Sequence, residues 1–294
     1  MDKIEEFKYQ KTLAVDTLSK RIVLLGNIGL ERAILTLEKT AFPNTENVHS
    51  IVDTTELIAH NDIYYWAMAT LKQDLKNSIP CKVNLIYPAT ETHIKKYETP
   101  VFHMVKETPQ AYIDIVKPYI DSMRGDRLKW VRNILYDGAE ADRVVYKNND
   151  FVVLPDMKWD GKDVNSLYCC AIVFNDNIYS IRDLNESHLE WLESIQESLL
   201  TEVVKKYKDH GIQRDSLRLY VHYQPSYYHF HIHIVNVNFS GLPASMAVGK
   251  AILLNDVIED LKLLGKEGYM KKTLVYALSD KHDLWERGLK NYTP

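Results

Sequence analysis

Hydrophobic and polar positions change period several times along this 294-residue chain. Short β-branched runs dominate the first third. Residues 21–25 (RIVLL) and 33–38 (AILTLE) read as strands separated by Gly26 and Gly29, and residues 81–87 (CKVNLIY) as another that stops before Pro88. Between them, residues 58–75 carry Asn61-Asp62-Ile63-Tyr64 and read as a loop entering a helix. Residues 95–110 hold two prolines and no clear period, which predicts a linker or hinge. Helical spacing follows over 109–122 and 127–136, divided by Gly125. Pro109 suits a first helical turn, whereas Pro118 should end or kink that helix.

From residue 139 onward strands and helices mix. Residues 143–147 and 151–154 predict a hairpin around Asn148-Asn149-Asp150, and residues 168–174 and 177–181 predict a second. The clearest helix is 189–207, where Leu192, Ile195, Leu199, Val203 and Tyr207 recur every three to four positions before Gly211. Residues 217–223 and 228–237 are the strongest strands. Residues 245–264 predict a second helix ended by Gly265, and 273–278 a closing strand. The sum is an α+β fold, mainly an antiparallel sheet with helices on one side. It divides into a small N-terminal domain (1–94), a hinge (95–110) and a larger domain (111–294).

Composition narrows the classes. With 46% hydrophobic and 26% charged residues the chain is an ordinary globular one. A net charge of −4 excludes coating nucleic acid through a bulk positive field, so any positive charge that meets a nucleotide must be local. Three cysteines, two of them adjacent, do not form a disulfide framework. Reduced thiols and an N-terminus without a signal-like apolar run predict a cytoplasmic or nuclear protein, and no apolar stretch approaches a membrane span. No GxxxxGK[ST] and no strand-led GxGxxG occurs, which argues against nucleotide triphosphatases and dinucleotide dehydrogenases. The 19 tyrosines are mostly explained by core packing.

The sharpest chemistry lies in Tyr228-His229-Phe230-His231-Ile232-His233-Ile234-Val235. In a strand, alternate side chains share a face. His229, His231 and His233 are therefore expected on one side, with Phe230, Ile232 and Ile234 directed into a core that fixes the register. Imidazole titrates near neutrality, so such a row can supply nucleophile, acid and phosphate ligand. Metal binding is the competing reading, because three histidines can hold zinc. Against it, no neighbouring cysteine or carboxylate motif completes a site, whereas Tyr227, Tyr228 and His222 suit phosphate oxygens. No metal and no cofactor are expected.

The His-φ-His-φ-His-φ-φ pattern resembles the histidine-triad superfamily. The longer string His222-Tyr223-Gln224-Pro225-Ser226-Tyr227-Tyr228-His229-Phe230-His231-Ile232-His233 resembles its scavenger mRNA decapping branch. Ala139-Glu140-Ala141-Asp142-Arg143, Leu154-Pro155-Asp156-Met157-Lys158-Trp159 and Asn61-Asp62-Ile63-Tyr64 extend the similarity over most of the chain. The resemblance implies metal-free hydrolysis of the residual mRNA 5′ cap. His231 would be the nucleophile, assisted by His222, His229 and His233. A methylated guanine is cationic, so Trp130 is expected to stack on it, although a helix-core role for Trp130 competes. Glu140 would accept from guanine N–H groups, although an exposed Glu is ordinarily just solvated. Asp156 would hold ribose hydroxyls, and Lys158, Tyr168, Ser226, Tyr227 and Lys250 would meet phosphates. Lys250 stands where the family often has arginine, so it offers a point charge instead of a bidentate contact. Asn61 and Tyr64 would close over the cap. The partners implied are the 7-methylguanosine cap dinucleotide and short capped RNA, with a homodimer that exchanges N-terminal segments and no cleavage of long RNA. A cap-binding regulator without turnover and a general dinucleoside polyphosphate hydrolase are the alternatives.

Overall fold

The computed structural model describes residues 2–42, 47–76, 78–157, 159, 161–239 and 244–294. The chain forms two compact units, residues 1–100 and 101–294. Among the described residues no helix is long and apolar enough to cross a membrane, and Cys81, Cys169 and Cys170 are free thiols.

The first unit holds six strands: β1 (Lys8–Asp16), β2 (Arg21–Ile28), β3 (Glu31–Lys39), β4 (Val52–Asn61), β5 (Tyr64–Leu71) and β6 (Cys81–Ile86). Four make an antiparallel sheet in the order β1-β2-β3-β6. Leu13, Val23, Leu25 and Ile34 pack against Ile94 of the helix Glu91–Tyr97. β4 and β5 form a separate hairpin. This corrects the reading of residues 58–75 as a loop entering a helix. Aromatic and β-branched residues on both arms suit a pleated surface. Asp62, at φ +50°, supplies the turn.

The second unit begins with a strand where a linker was expected. β7 (Phe102–Glu107) pairs with β14 (Leu274–Ser279). Its remaining strands, β8 (Tyr146–Lys147), β9 (Phe151–Pro155), β10 (Tyr168–Val173), β11 (Leu217–His222), β12 (His231–Asn236) and β13 (Ala251–Leu253), form one sheet in the order β13-β11-β12-β10-β9-β8. All the recorded pairings are antiparallel. β10 runs between β9 and β12, so residues 177–181 are not its hairpin partner. The helix Leu189–Tyr207 lies where its period placed it and buries Leu192, Ile195, Leu199 and Val203. The second long helix is shorter than expected. It spans Leu254–Leu264, and β13 and a turn replace its first part. Pro118 does not end the helical run at 109–122. A π-helical segment, Tyr112–Val116, precedes it, widening the turn where a proline ring would otherwise meet the carbonyl four residues back.

The two faces of the six-stranded sheet divide the labour. One carries Phe151, Val153, Cys169, Ala171, Ile232 and Ile234 into the main core with the two long helices. The other carries Val152, Leu154, Cys170 and Ile172 against Val131, Ile134 and Leu135 of the helix Lys129–Leu135. That second face holds the histidines.

Candidate active site

β11 ends at His222 and β12 begins at His231, so the loop 223–230 joins them across the top of the sheet. His233 lies between Cys170 of β10 and Tyr220 of β11. His231 lies beside Ile172. Side chains two apart share a face, and the rings of His231 and His233 meet edge to face at 5.0 Å. The His222 and His233 ring centroids are 4.2 Å apart. All four histidines of the motif are buried.

Hydrogen bonds on the far side of each ring fix where the lone pairs point. His231 Nδ1–H donates to the carbonyl of His229 at 2.7 Å. Its Nε2 therefore carries the lone pair, and that atom is buried without a hydrogen-bond partner among the described residues. Burial, reinforced by the neighbouring His222 and His229, pushes the His231 pKa from 6.5 down to about 3, so the ring is neutral at physiological pH. His222 Nε2–H donates to the Ser245 carbonyl at 2.7 Å. Tyr220 donates to the Tyr168 hydroxyl at 3.1 Å, which lies 3.2 Å from His233 Nδ1. With the Tyr168 oxygen accepting from Tyr220, the Tyr168 hydroxyl can donate to His233 Nδ1. In that arrangement the proton of a neutral His233 is on Nε2.

His229 departs from the expected row. It precedes β12, and its Nε2–H donates to the Val173 carbonyl at 2.7 Å. The residue reaches His231 through its main-chain oxygen, so the grouped imidazoles are those of His222, His231 and His233. One ring nitrogen of each lies within 4.8 Å of the others, which also makes these three a candidate metal cradle.

A cavity of about 340 Å³, within the usual size of small-ligand pockets, opens beside His222 and His233, whereas His231 borders a separate, smaller pocket with Pro225 and Phe230. Trp130, Glu140, Arg143, Pro155, Asp156, Cys170, Ser226, Tyr227, His222 and His233 line it, with Ile134, Leu154 and Ile172 among its apolar lining. Trp130 is 44% exposed, so it is not a helix-core residue. Its edge meets Tyr227 at 4.8 Å and 78°. Tyr227 in turn stacks on His231 at 4.1 Å and 14°. Glu140 sits in a loop at φ +57°, paired with Arg143, which also donates to the Pro155 carbonyl at 3.0 Å. The pocket thus has an aromatic wall, a carboxylate edge and an imidazole end.

Two expected site residues of the second unit, Tyr168 and Lys250, do not line the cavity. Tyr168 is fully buried and touches His233, not the cavity. Lys250 lies in a turn before β13, not inside a helix, and its ammonium donates to the Gln224 carbonyl. Burial lowers its pKa. Asn61 and Tyr64 face each other at the end of the β4–β5 hairpin in the first unit. Lys158 lies outside the described residues. Conversely, Arg143, Cys170 and Ile172 line the cavity without having been singled out. Arg143 was visible three residues after Glu140. Cys170 and Ile172 had no local signal, because the β10–β12 register alone sets them beside His233 and His231.

Three converged imidazoles beside an aromatic and acidic pocket make a histidine-based site with the groups that phosphate chemistry uses. Comparison with known proteins agrees. Residues 2–100 match the family model described as "Scavenger mRNA decapping enzyme (DcpS) N-terminal". Residues 129–249 match "Scavenger mRNA decapping enzyme C-term binding". Proteins named m7GpppX diphosphatase are similar over most of their length. That of Schizosaccharomyces pombe is 40% identical over 291 residues, covering 96% of this chain and 94% of the relative. That of Ascaris suum is 36% identical over 289 residues, covering 96% and 93%. The human protein is 35% identical over 285 residues, covering 92% and 82%. The chain belongs to the scavenger mRNA decapping enzyme family.

Proposed function

We propose that this protein hydrolyses the residual mRNA 5′ cap, m7GpppN or a short capped oligonucleotide, to 7-methyl-GMP and a diphosphate-bearing product. One observation carries the reading: His231 holds a buried, neutral imidazole whose Nδ1–H is tied down and whose Nε2 lone pair is unpartnered. That Nε2 attacks the phosphorus next to the methylguanosine. A P–N bond forms, and the P–O bond to the departing diphosphate breaks. The Nε2–H of His233 supplies a proton or hydrogen bond to the leaving oxygen. Water then attacks the same phosphorus, breaks the P–N bond and restores His231. Splitting one displacement into two uses imidazole as both nucleophile and leaving group. Trp130 stacks on the cationic base. Glu140 accepts from its N–H groups, Asp156 holds the ribose, and Ser226 and Tyr227 contact phosphate. The name shared by the relatives supports this substrate.

The test is turnover of m7GpppG against unmethylated GpppG in ¹⁸O water. The reading requires a strong preference for the methylated substrate and label in 7-methyl-GMP. Equal turnover of the two would favour a general dinucleoside polyphosphate hydrolase, and no turnover would end the proposal. No metal takes part in this scheme. Activity lost in EDTA and restored by zinc would return the three-histidine cluster to a metal role.

The finer proposals concern the first unit. Asn61 and Tyr64 close over the bound cap, and two chains form a homodimer with exchanged N-terminal segments. A long RNA tail obstructs closure, so it binds without being cut. Capped RNAs of increasing length should lose cleavage steeply and binding little. Equal cleavage of long and short RNA would exclude gating. Three free thiols suit the reducing cytoplasm or nucleus.

A further inference from the structure

A buried charge that does not line the cavity is wired to the loop that forms its wall. Glu107, the last residue of β7, and Arg182 are both fully buried and pair at 2.5 Å. Arg182 Nη1 donates to the carbonyls of Tyr269 and Lys272, both at 2.6 Å, and Nε also reaches the Tyr223 hydroxyl at 3.3 Å. Every remaining contact of the Glu107 carboxylate leads towards the site. Tyr223 donates to Oε1 at 2.6 Å. Gln224 and Tyr276 donate to Oε2 at 3.0 and 2.5 Å. The Gln224 amide oxygen accepts from the Tyr228 hydroxyl at 2.9 Å, and its main-chain oxygen accepts from Lys250.

The loop from β11 to β12 is thus fastened at its start, by Tyr223 and Gln224, and at its end, by Tyr228. Both fastenings return to one carboxylate. Only Pro225, Ser226 and Tyr227 lie between them. Ser226 and Tyr227 line the cavity, and Tyr227 stacks on His231.

We infer that Glu107 is a positioning residue for this reaction: through Gln224 and Tyr228 it fixes the height and tilt of Ser226 and Tyr227 over the His231 imidazole. A carboxylate serves here because it accepts several hydrogen bonds at once, which an amide in its place cannot. Full burial leaves water no opportunity to substitute for a lost partner. Lys250 belongs to the same fastening, since its ammonium meets the loop's main chain. The inference rests on the cap-hydrolysis reading for its kinetic arm only.

Three variants of the full chain test it: Glu107→Gln, Tyr228→Phe and Tyr276→Phe. Glu107→Gln leaves Arg182 buried without a counter-charge and can fail to fold. The two phenylalanine variants remove a single hydroxyl each and decide the matter in that case. Two readouts are needed. The first is the NMR shift of the His231 ring protons, which the stacked Tyr227 ring displaces. It is measured without substrate, with exposed His210 as internal reference. The second is kcat for m7GpppG beside the affinity for 7-methyl-GMP.

Tyr228→Phe should shift the His231 ring protons, leave His210 in place, and lower kcat about tenfold with product affinity held within about twofold. Combined with Ser226→Ala, its loss should be less than the product of the single losses, because both act through one loop. Unchanged His231 shifts and kcat in the folded phenylalanine variants would overturn the inference. So would kcat and product affinity falling together with thermal stability while the His231 shifts stay fixed, since that is the mark of a merely structural contact. If wild type hydrolyses no cap, the cap reading fails while the His231 shifts still report on the positioning.

Discussion

Every residue of β10 and β12 in the second unit is buried. In the first unit the β4–β5 hairpin leaves Leu57, Ile58, Tyr64, Tyr65, Trp66 and Met68 between 52% and 69% exposed. Tyr65 and Trp66 are adjacent in the regular part of β5, so they face opposite ways, and both sides of the hairpin are apolar. The sheet of the second unit is sandwiched between helices and complete within one chain. The hairpin is not, and an isolated two-stranded hairpin is marginal in water. Contiguous exposed apolar surface of this kind marks a site of association. The difference separates what one chain achieves alone, a fully buried sheet, from what the proposed second copy would supply, a cover for the hairpin.

The largest effect should come from the complete region. His231→Asn should abolish hydrolysis by several orders of magnitude while cap binding persists, as measured by single-turnover kinetics beside equilibrium binding. Retained turnover would remove His231 from the nucleophile's role. The unfinished region should respond differently. Charging it with Leu57→Asp and Met68→Lys should leave the second unit folded and shift the chain from dimer to monomer in sedimentation velocity. A monomeric wild type would break the comparison outright.

Smaller effects sharpen it. Trp130→Ala should weaken cap binding by about 1–3 kcal/mol, the range for stacking of a base on an aromatic ring. Most of the preference for the methylated base should go with it. Calorimetry with methylated and unmethylated analogues checks this, and a Trp130→Ala variant that binds both forms as wild type does would remove Trp130 from the base contact. The smallest effect is on pH-dependent stability. The unfolded His231 takes up a proton below about pH 6.5, whereas the folded ring stays neutral until about 3. The unfolded state therefore binds more protons across that window, and stability falls as pH falls through it. Between pH 6 and 5 the loss should be about 1 kcal/mol for this group. Denaturant midpoints across that interval should drop less in His231→Asn than in wild type. Parallel curves would show that the ring is not held neutral.

Where a segment's own pattern decided its state, the sequence was readable. The helix Leu189–Tyr207 carries its apolar stripe every three to four residues and formed as expected. Phe230, Ile232 and Ile234 alternate with the histidines and entered the core. The hairpin at 52–71 was misread because its two apolar faces lack the single-sided alternation that marks a half-buried strand. Lys250 was misplaced because a helical period was extended backwards over a turn and the short strand β13. Residues 177–181 were paired with β10 on proximity in sequence, but β9 and β12 already flank that strand.

By itself, then, the sequence singled out the candidate side chains: the alternating histidines, of which His231 and His233 group with His222 upstream, and Trp130, Glu140 and Asp156 of the cavity wall. It could do so because strand periodicity and residue chemistry are local properties. Only the tertiary structure decided how those side chains are held. It turned His229 into a carbonyl acceptor for His231, Tyr168 into a support for His233, and Lys250 into a fastening for Gln224. It also joined Glu107 to Arg182, 75 residues apart, beneath the active-site loop. Hydrogen-bond partners and burial arise from contacts between distant segments, and no window along the chain contains both ends of such a contact.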